Sequence, residues 1–152
     1  MIIRKIAVTI TILCSSFGAS FADKLPKDAV KLTPQEVTDL YTGFSSNWSR
    51  SNAYFSPDGA YFLVGKNGNF VGEGKWSVSD NQVCADFTVK GVKDGGSKKA
   101  RDCWAWYKQG DRHWTFWNGE KDKRNGFYTG EKNKLSKGDK VTDKFRKLVA
   151  SQ

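Results

Sequence analysis

The 152-residue chain contains one histidine, one methionine, three prolines and three cysteines. A single histidine, His113, excludes metal centres and catalytic triads that need several imidazoles. No zinc or EF-hand spacing occurs, and Gly65-Lys66-Asn67-Gly68 and Gly72-Glu73-Gly74 do not match phosphate-binding glycine motifs. A long uninterrupted apolar run is also missing. The stretch from Ile6 to Leu13 is broken at Ser15 and Ser16, short of the roughly 20 apolar residues that span a bilayer. Acidic residues are outnumbered, 16 against 25 basic ones, for a formal charge of +9. That balance favours anionic partners and says nothing about fold. What is abundant is aromatic: 14% of the chain, with 6 Trp and 10 Phe. This load excludes intrinsic disorder, and the length favours one domain.

Residues 1–22 read as a secretory signal peptide. Arg4 and Lys5 precede the apolar run, and Ser20-Phe21-Ala22 presents small residues where a signal peptidase cuts. Lipid attachment at Cys14 is disfavoured, because Leu13 is larger than the residue such sites place before the cysteine. Cleavage leaves 23–152 as a single domain of charge +7, without a transmembrane anchor and in a periplasmic or secreted location. It also leaves two cysteines, Cys84 and Cys103, which in an oxidising compartment are expected to form one disulfide. In the chain-entropy model a loop of this length contributes about 3 kcal/mol.

Thr33-Pro34-Gln35-Glu36 carries a capping hydroxyl, a proline at the first helical position and a glutamate at the third. A short helix is expected to follow, with Val37, Leu40 and Tyr41 on one face and Gly43 at its end. Val141, Phe145, Leu148 and Val149 predict a second helix near the C-terminus. The segment between them alternates with period two and is punctuated by turn residues. Ser56-Pro57-Asp58-Gly59 joins a hairpin; Asp80-Asn81 and Gln109-Gly110-Asp111 mark further turns; Phe127-Tyr128-Thr129 reads as a last strand. Phe70, Gly72, Gly74, Trp76 and Val78 share one strand face, and Trp104 and Trp106 share another. If the tryptophans point inward, Cys84 and Cys103 point outward and join neighbouring strands. The expected fold is mainly β: an antiparallel meander of about seven strands forming a small lipocalin-like barrel or half-barrel, with a short N-terminal helix and a C-terminal helix. A two-sheet sandwich is the alternative.

The runs Leu32-Thr33-Pro34-Gln35-Glu36-Val37, Leu40-Tyr41-Thr42-Gly43, Ala53-Tyr54-Phe55-Ser56-Pro57-Asp58-Gly59 and Gly72-Glu73-Gly74-Lys75-Trp76-Ser77-Val78, with Val83-Cys84 and Gly138-Asp139-Lys140-Val141, carry a resemblance across nearly the whole mature chain. In these residues it resembles a family of short secreted proteobacterial proteins known as domain of unknown function 995. The resemblance implies a bacterial periplasmic or secreted location and no activity. The strand patterning is also similar to lipocalin-like and avidin-like barrels. With the signal peptide, single disulfide and Gly74-Lys75-Trp76 strand, it is similar to small periplasmic barrels that inhibit metalloproteases.

Two groups of residues are candidates for binding. Phe70, Trp76, Trp104, Trp106 and Trp114, with Phe87 and Phe116, either fill the core or line a ligand cavity, for which Gly72 and Gly74 leave space. Outward rings such as Tyr107 and Trp117 are candidates for stacking a sugar. Basic residues concentrate from Glu120 onward, where ten Lys or Arg face five acids. There Lys121, Lys123, Arg124, Lys132, Lys134 and Lys137 are candidates for contact with an anionic envelope surface. Lys90, Lys93, Lys98, Lys99 and Arg101 flank an expected hairpin tip. Nucleic acid suits the charge but not export. For catalysis, His113 is expected on the surface, and only Asp102 among the acids falls on an inward face by parity. The reading is an exported, non-enzymatic binding module without a cofactor, for a small apolar or envelope-derived molecule. The alternative is a protein-interaction role in the periplasm, such as a protease inhibitor or modulator of an envelope protein.

Overall fold

The computed structural model describes residues 24–119 and 126–151. The expected signal peptide lies outside them. Among the described residues nine antiparallel strands form one curled sheet, a half-barrel, accompanied by two helices. In chain order these are β1 (Val30–Lys31), α1 (Pro34–Tyr41), β2 (Phe44–Asn47), β3 (Ser51–Phe55), β4 (Ala60–Gly65), β5 (Phe70–Ser79), β6 (Gln82–Gly91), β7 (Ser97–Gln109), β8 (Arg112–Trp117), β9 (Leu135–Lys137) and α2 (Thr142–Ala150). Strands β2 to β8 follow one another as a meander, β9 pairs with β2, and β1 pairs with β7 beyond the start of β6. The meander from β3 to β8 and both helices are therefore as the sequence patterning predicts. Strands β1, β2 and β9 are not: they are two to four residues long and mostly polar, so they carry too little alternation to be read. Phe127-Tyr128-Thr129, expected as a last strand, forms only an isolated bridge from Tyr128 to Thr115.

Turn chemistry sets the register. Gly59 closes the β3–β4 hairpin at φ +86°, and the Ser56 amide donates to the Ala60 carbonyl. Asp80 adopts φ +51° in the β5–β6 turn, where Asn81 is buried and donates from Nδ2 to the Trp106 carbonyl. Thr33 caps α1 through a complete capping box with Glu36.

The two helices serve opposite faces of the sheet. Val37 and Tyr41 of α1 are fully buried against the inner face, among Leu32, Phe55 and Trp106. Helix α2, whose first amides donate to the Asp139 carboxylate, lays Phe145 and Leu148 on the outer face against Val64, Val71 and Phe62. Val149, expected in that stripe, is 44% exposed instead. Gly72 and Gly74 do not open an inner cavity. A Cβ at Gly74 would lie 2.0 Å from the Asp86 carbonyl oxygen and 2.6 Å from the Phe87 Cα, and one at Gly72 would meet Leu63 and Phe87. These glycines let β5 and β6 approach closely. Cys84 and Cys103 sit directly opposite one another and form the expected disulfide on the outer face.

Candidate functional site

Cross-strand register defines the inner wall. Residues directly opposite in an antiparallel pair share a face, so the pairs Trp104–Trp117, Trp106–Thr115 and Lys108–His113 put Trp117, Thr115 and His113 inside with Trp104 and Trp106. This corrects the placement of Trp114. It is buried, but on the opposite face with Phe116, and Arg112 covers its ring at 4.6 Å. The alternation on β8 is as expected, but both faces of that strand are apolar, so parity alone does not say which one is inward. His113 is likewise not a plain surface residue. It is half-buried, 6.3 Å from the Trp106 ring, with its pKa pushed down by burial and then by Lys132.

The remaining predicted aromatic residues converge. Phe55, fully buried, lies within 6.4 Å of the rings of Tyr41, Trp48, Tyr61, Trp76 and Trp104. Trp48 stacks on Trp104 at 5.1 Å, and Phe70 packs at the margin of the same cluster. Trp76 is fixed by its indole N–H, which donates to the Ser56 carbonyl at 2.8 Å. Most of this interior is a packed core.

Burial changes along the inner face of β7. Lys98 is exposed, Ala100 and Asp102 are half-buried, and Trp104 and Trp106 are buried. Asp102 thus stands where the wall passes from solvent to core, with half-buried Trp117 beside it. Burial raises the pKa of Asp102, and the neighbouring Trp117 indole N–H lowers it by less. The two groups are close but not in a well-formed hydrogen bond. The Tyr61 hydroxyl, fully buried and without a partner, also lies within the field of Asp102. Trp117 is held by shape: a Cβ at Gly119 would fall 2.2 Å from its ring.

Sequence reading missed Glu131 and Trp48. The chain from Tyr128, which bridges to Thr115 of β8, to β9 on β2 crosses the gap left in the barrel. In that crossing Glu131 is only 1% exposed. Its carboxylate accepts from the Trp48 indole N–H, from the Tyr128 hydroxyl at 3.3 Å and from the Lys134 ammonium at 2.8 Å. The signal was an acid inside a basic run, which sequence reads as solvated. Lys134 is therefore committed to Glu131 and to the Tyr128 ring, whereas Lys132 and Lys137 are exposed. Lys121, Lys123 and Arg124 lie outside the described residues.

On the outer face, Val71, Thr88, Lys90, Phe145 and Val149 line an open groove of about 310 Å³ between α2 and β5–β6. Among the described residues, no group of three or more His, Cys, Asp or Glu could hold a metal ion, and no helix is long and apolar enough to cross a membrane.

A curled antiparallel sheet with a helix against its inner face, an aromatic interior and one disulfide defines a small half-barrel domain. Within that class, residues 9–151 match the family model described as "Protein of unknown function (DUF995)", and the chain belongs to this family. No curated protein and no solved structure matches it.

Proposed function

We propose that this domain is an exported, non-enzymatic binding module that takes a small molecule with an apolar body at the inner face of its half-barrel. The observation that carries the reading is the half-buried set Trp48, Asp102 and Trp117 beside the fully buried, unpartnered Tyr61 hydroxyl. Binding sites combine apolar walls with a few polar groups that fix orientation. Unpartnered buried polar atoms are costly unless something satisfies them. A binding role is favoured over catalysis because general acid–base or nucleophilic chemistry needs two convergent groups. Glu131 is spent on Trp48, Tyr128 and Lys134, and His113 lies beside Trp106. Export to the periplasm or beyond is supported by the disulfide.

Mass spectrometry of the protein purified from its native host under non-denaturing conditions tests this reading. A retained small molecule, released on denaturation, is the expected result. A bare mass, together with tryptophan fluorescence indifferent to hydrophobic probes, overturns it.

A further inference from the structure

Resting on that binding role, we propose that the inner-face site is selective for small organic cations, an amine on an apolar or aromatic body, with Asp102 as the counter-charge and the rings of Trp48, Trp104 and Trp117 as the wall.

The argument starts from charge. A protein with 25 basic and 16 acidic residues has every opportunity to neutralise an inward carboxylate. The other carboxylates of the inner wall and its rim are neutralised: Glu131 pairs with Lys134, and Glu36 of α1 pairs with Lys108. Among the described residues Asp102 has no such partner. The inner-face lysine on its own strand, Lys98, is four residues away, roughly 13 Å along an extended chain, and points from the exposed part of β7. Lys108, six residues away in the other direction, is held by Glu36. Among the described residues, the groups that bear on the Asp102 carboxylate are aromatic: the Trp117 indole beside it and the Tyr61 phenol, which feels its charge.

A carboxylate removed from water without a counter-charge is unfavourable, and opposite charge placed beside it relieves that cost. A neutral hydroxyl compound could satisfy hydrogen bonds here but would leave the charge unmatched. A cation with an organic body matches the carboxylate and also covers aromatic surface, where cation–π attraction adds to burial. The site is accessible, since Asp102, Trp117 and Trp48 are each half-buried. It is also shaped: the Trp117 ring lies on Gly119, where no side chain fits beneath it, and Trp48 is fixed by stacking on Trp104 and by its bond to Glu131.

The test measures binding of phenethylamine, its neutral analogue 2-phenylethanol and the anion 3-phenylpropionate to the disulfide-bonded protein by isothermal titration calorimetry at pH 7. The same titrations are run on Asp102→Asn. The proposal expects the amine to bind at least tenfold more tightly than the alcohol, the acid not to bind, and Asp102→Asn to abolish the preference of amine over alcohol. Equal affinity for amine and alcohol, unchanged in Asp102→Asn, overturns the cation assignment and leaves the binding module standing. Binding of none of the three overturns both, and ordered water then satisfies the Tyr61 and Trp117 groups. The variant is expected to fold, because an amide removes the unmatched charge; a rise in its thermal midpoint at pH 7 is a second readout, and a fall overturns the premise that Asp102 is uncompensated.

Discussion

The two parts of the inner wall are built from the same residue types and differ in what closes them. Around α1, Tyr41, Phe55 and Trp106 are buried against one another, and the rim is tied by the Lys108–Glu36 ion pair. Around Asp102, the wall is half-exposed and its carboxylate lacks a counter-charge among the described residues. The difference teaches that aromatic content does not distinguish core from site. What distinguishes them is whether the carboxylate brought inward finds a cationic partner among the described residues.

Phe55→Ala should break the packed part most severely. The ring contacts five other aromatic side chains, and a large cavity would remain, so a loss of about 4 kcal/mol is expected from urea denaturation. A loss below about 1 kcal/mol would show that this region is loosely packed, and the contrast would fail. Glu131→Ala should cost less, about 2 kcal/mol, because it strips a buried acceptor from Trp48 and Tyr128 and frees Lys134. Trp48 should then redden in emission. Loss of stability without that shift would separate closure of the barrel from positioning of Trp48.

A smaller effect is expected at the α1 rim, and its sign depends on pH. Hydrogen bonds from Lys108 and from the Thr33 amide lower the Glu36 pKa to about 2. A carboxylate with a depressed folded pKa adds stability above its unfolded value, near 4.5, and loses it as pH falls toward 2. Glu36→Gln should therefore lower the thermal midpoint at pH 7 and flatten the acid limb between these values. An unchanged acid limb would remove the ion pair from the account. The smallest change, and the opposite sign, belongs to Asp102→Asn. Its folded pKa is raised above 3.8, so its charge opposes folding at neutral pH and ceases to do so once protonated. The variant should melt higher than the parent at pH 7 and gain nothing below pH 3.8. A lower midpoint at pH 7 would mean that Asp102 is satisfied in the folded chain and that the two regions do not differ.

Much of the fold was legible because it rests on local rules. The capping box at Thr33, the proline turn at Pro57, the glycine at Gly110 and the period-two runs of β5, β6 and β7 each act within a few residues. The site was legible only in part. Parity singles out Asp102 and puts Phe70, Trp76, Trp104 and Trp106 on the inward face, where they pack. Parity does not say which way Trp114 and Trp117 point, because β8 carries apolar side chains on both faces, and Glu131 is hidden in a basic segment.

By itself, then, the sequence determined the strands of the meander, the two helices and the cysteine pair, since short-range sterics, hydrogen bonding and alternation decide them. Which face of β8 is inward, which lysine neutralises which acid, and which carboxylate stays unmatched were decided only when the sheet curled. Those outcomes depend on groups 70 to 85 residues apart, such as Lys108 with Glu36 and Trp48 with Glu131, and no local pattern encodes them.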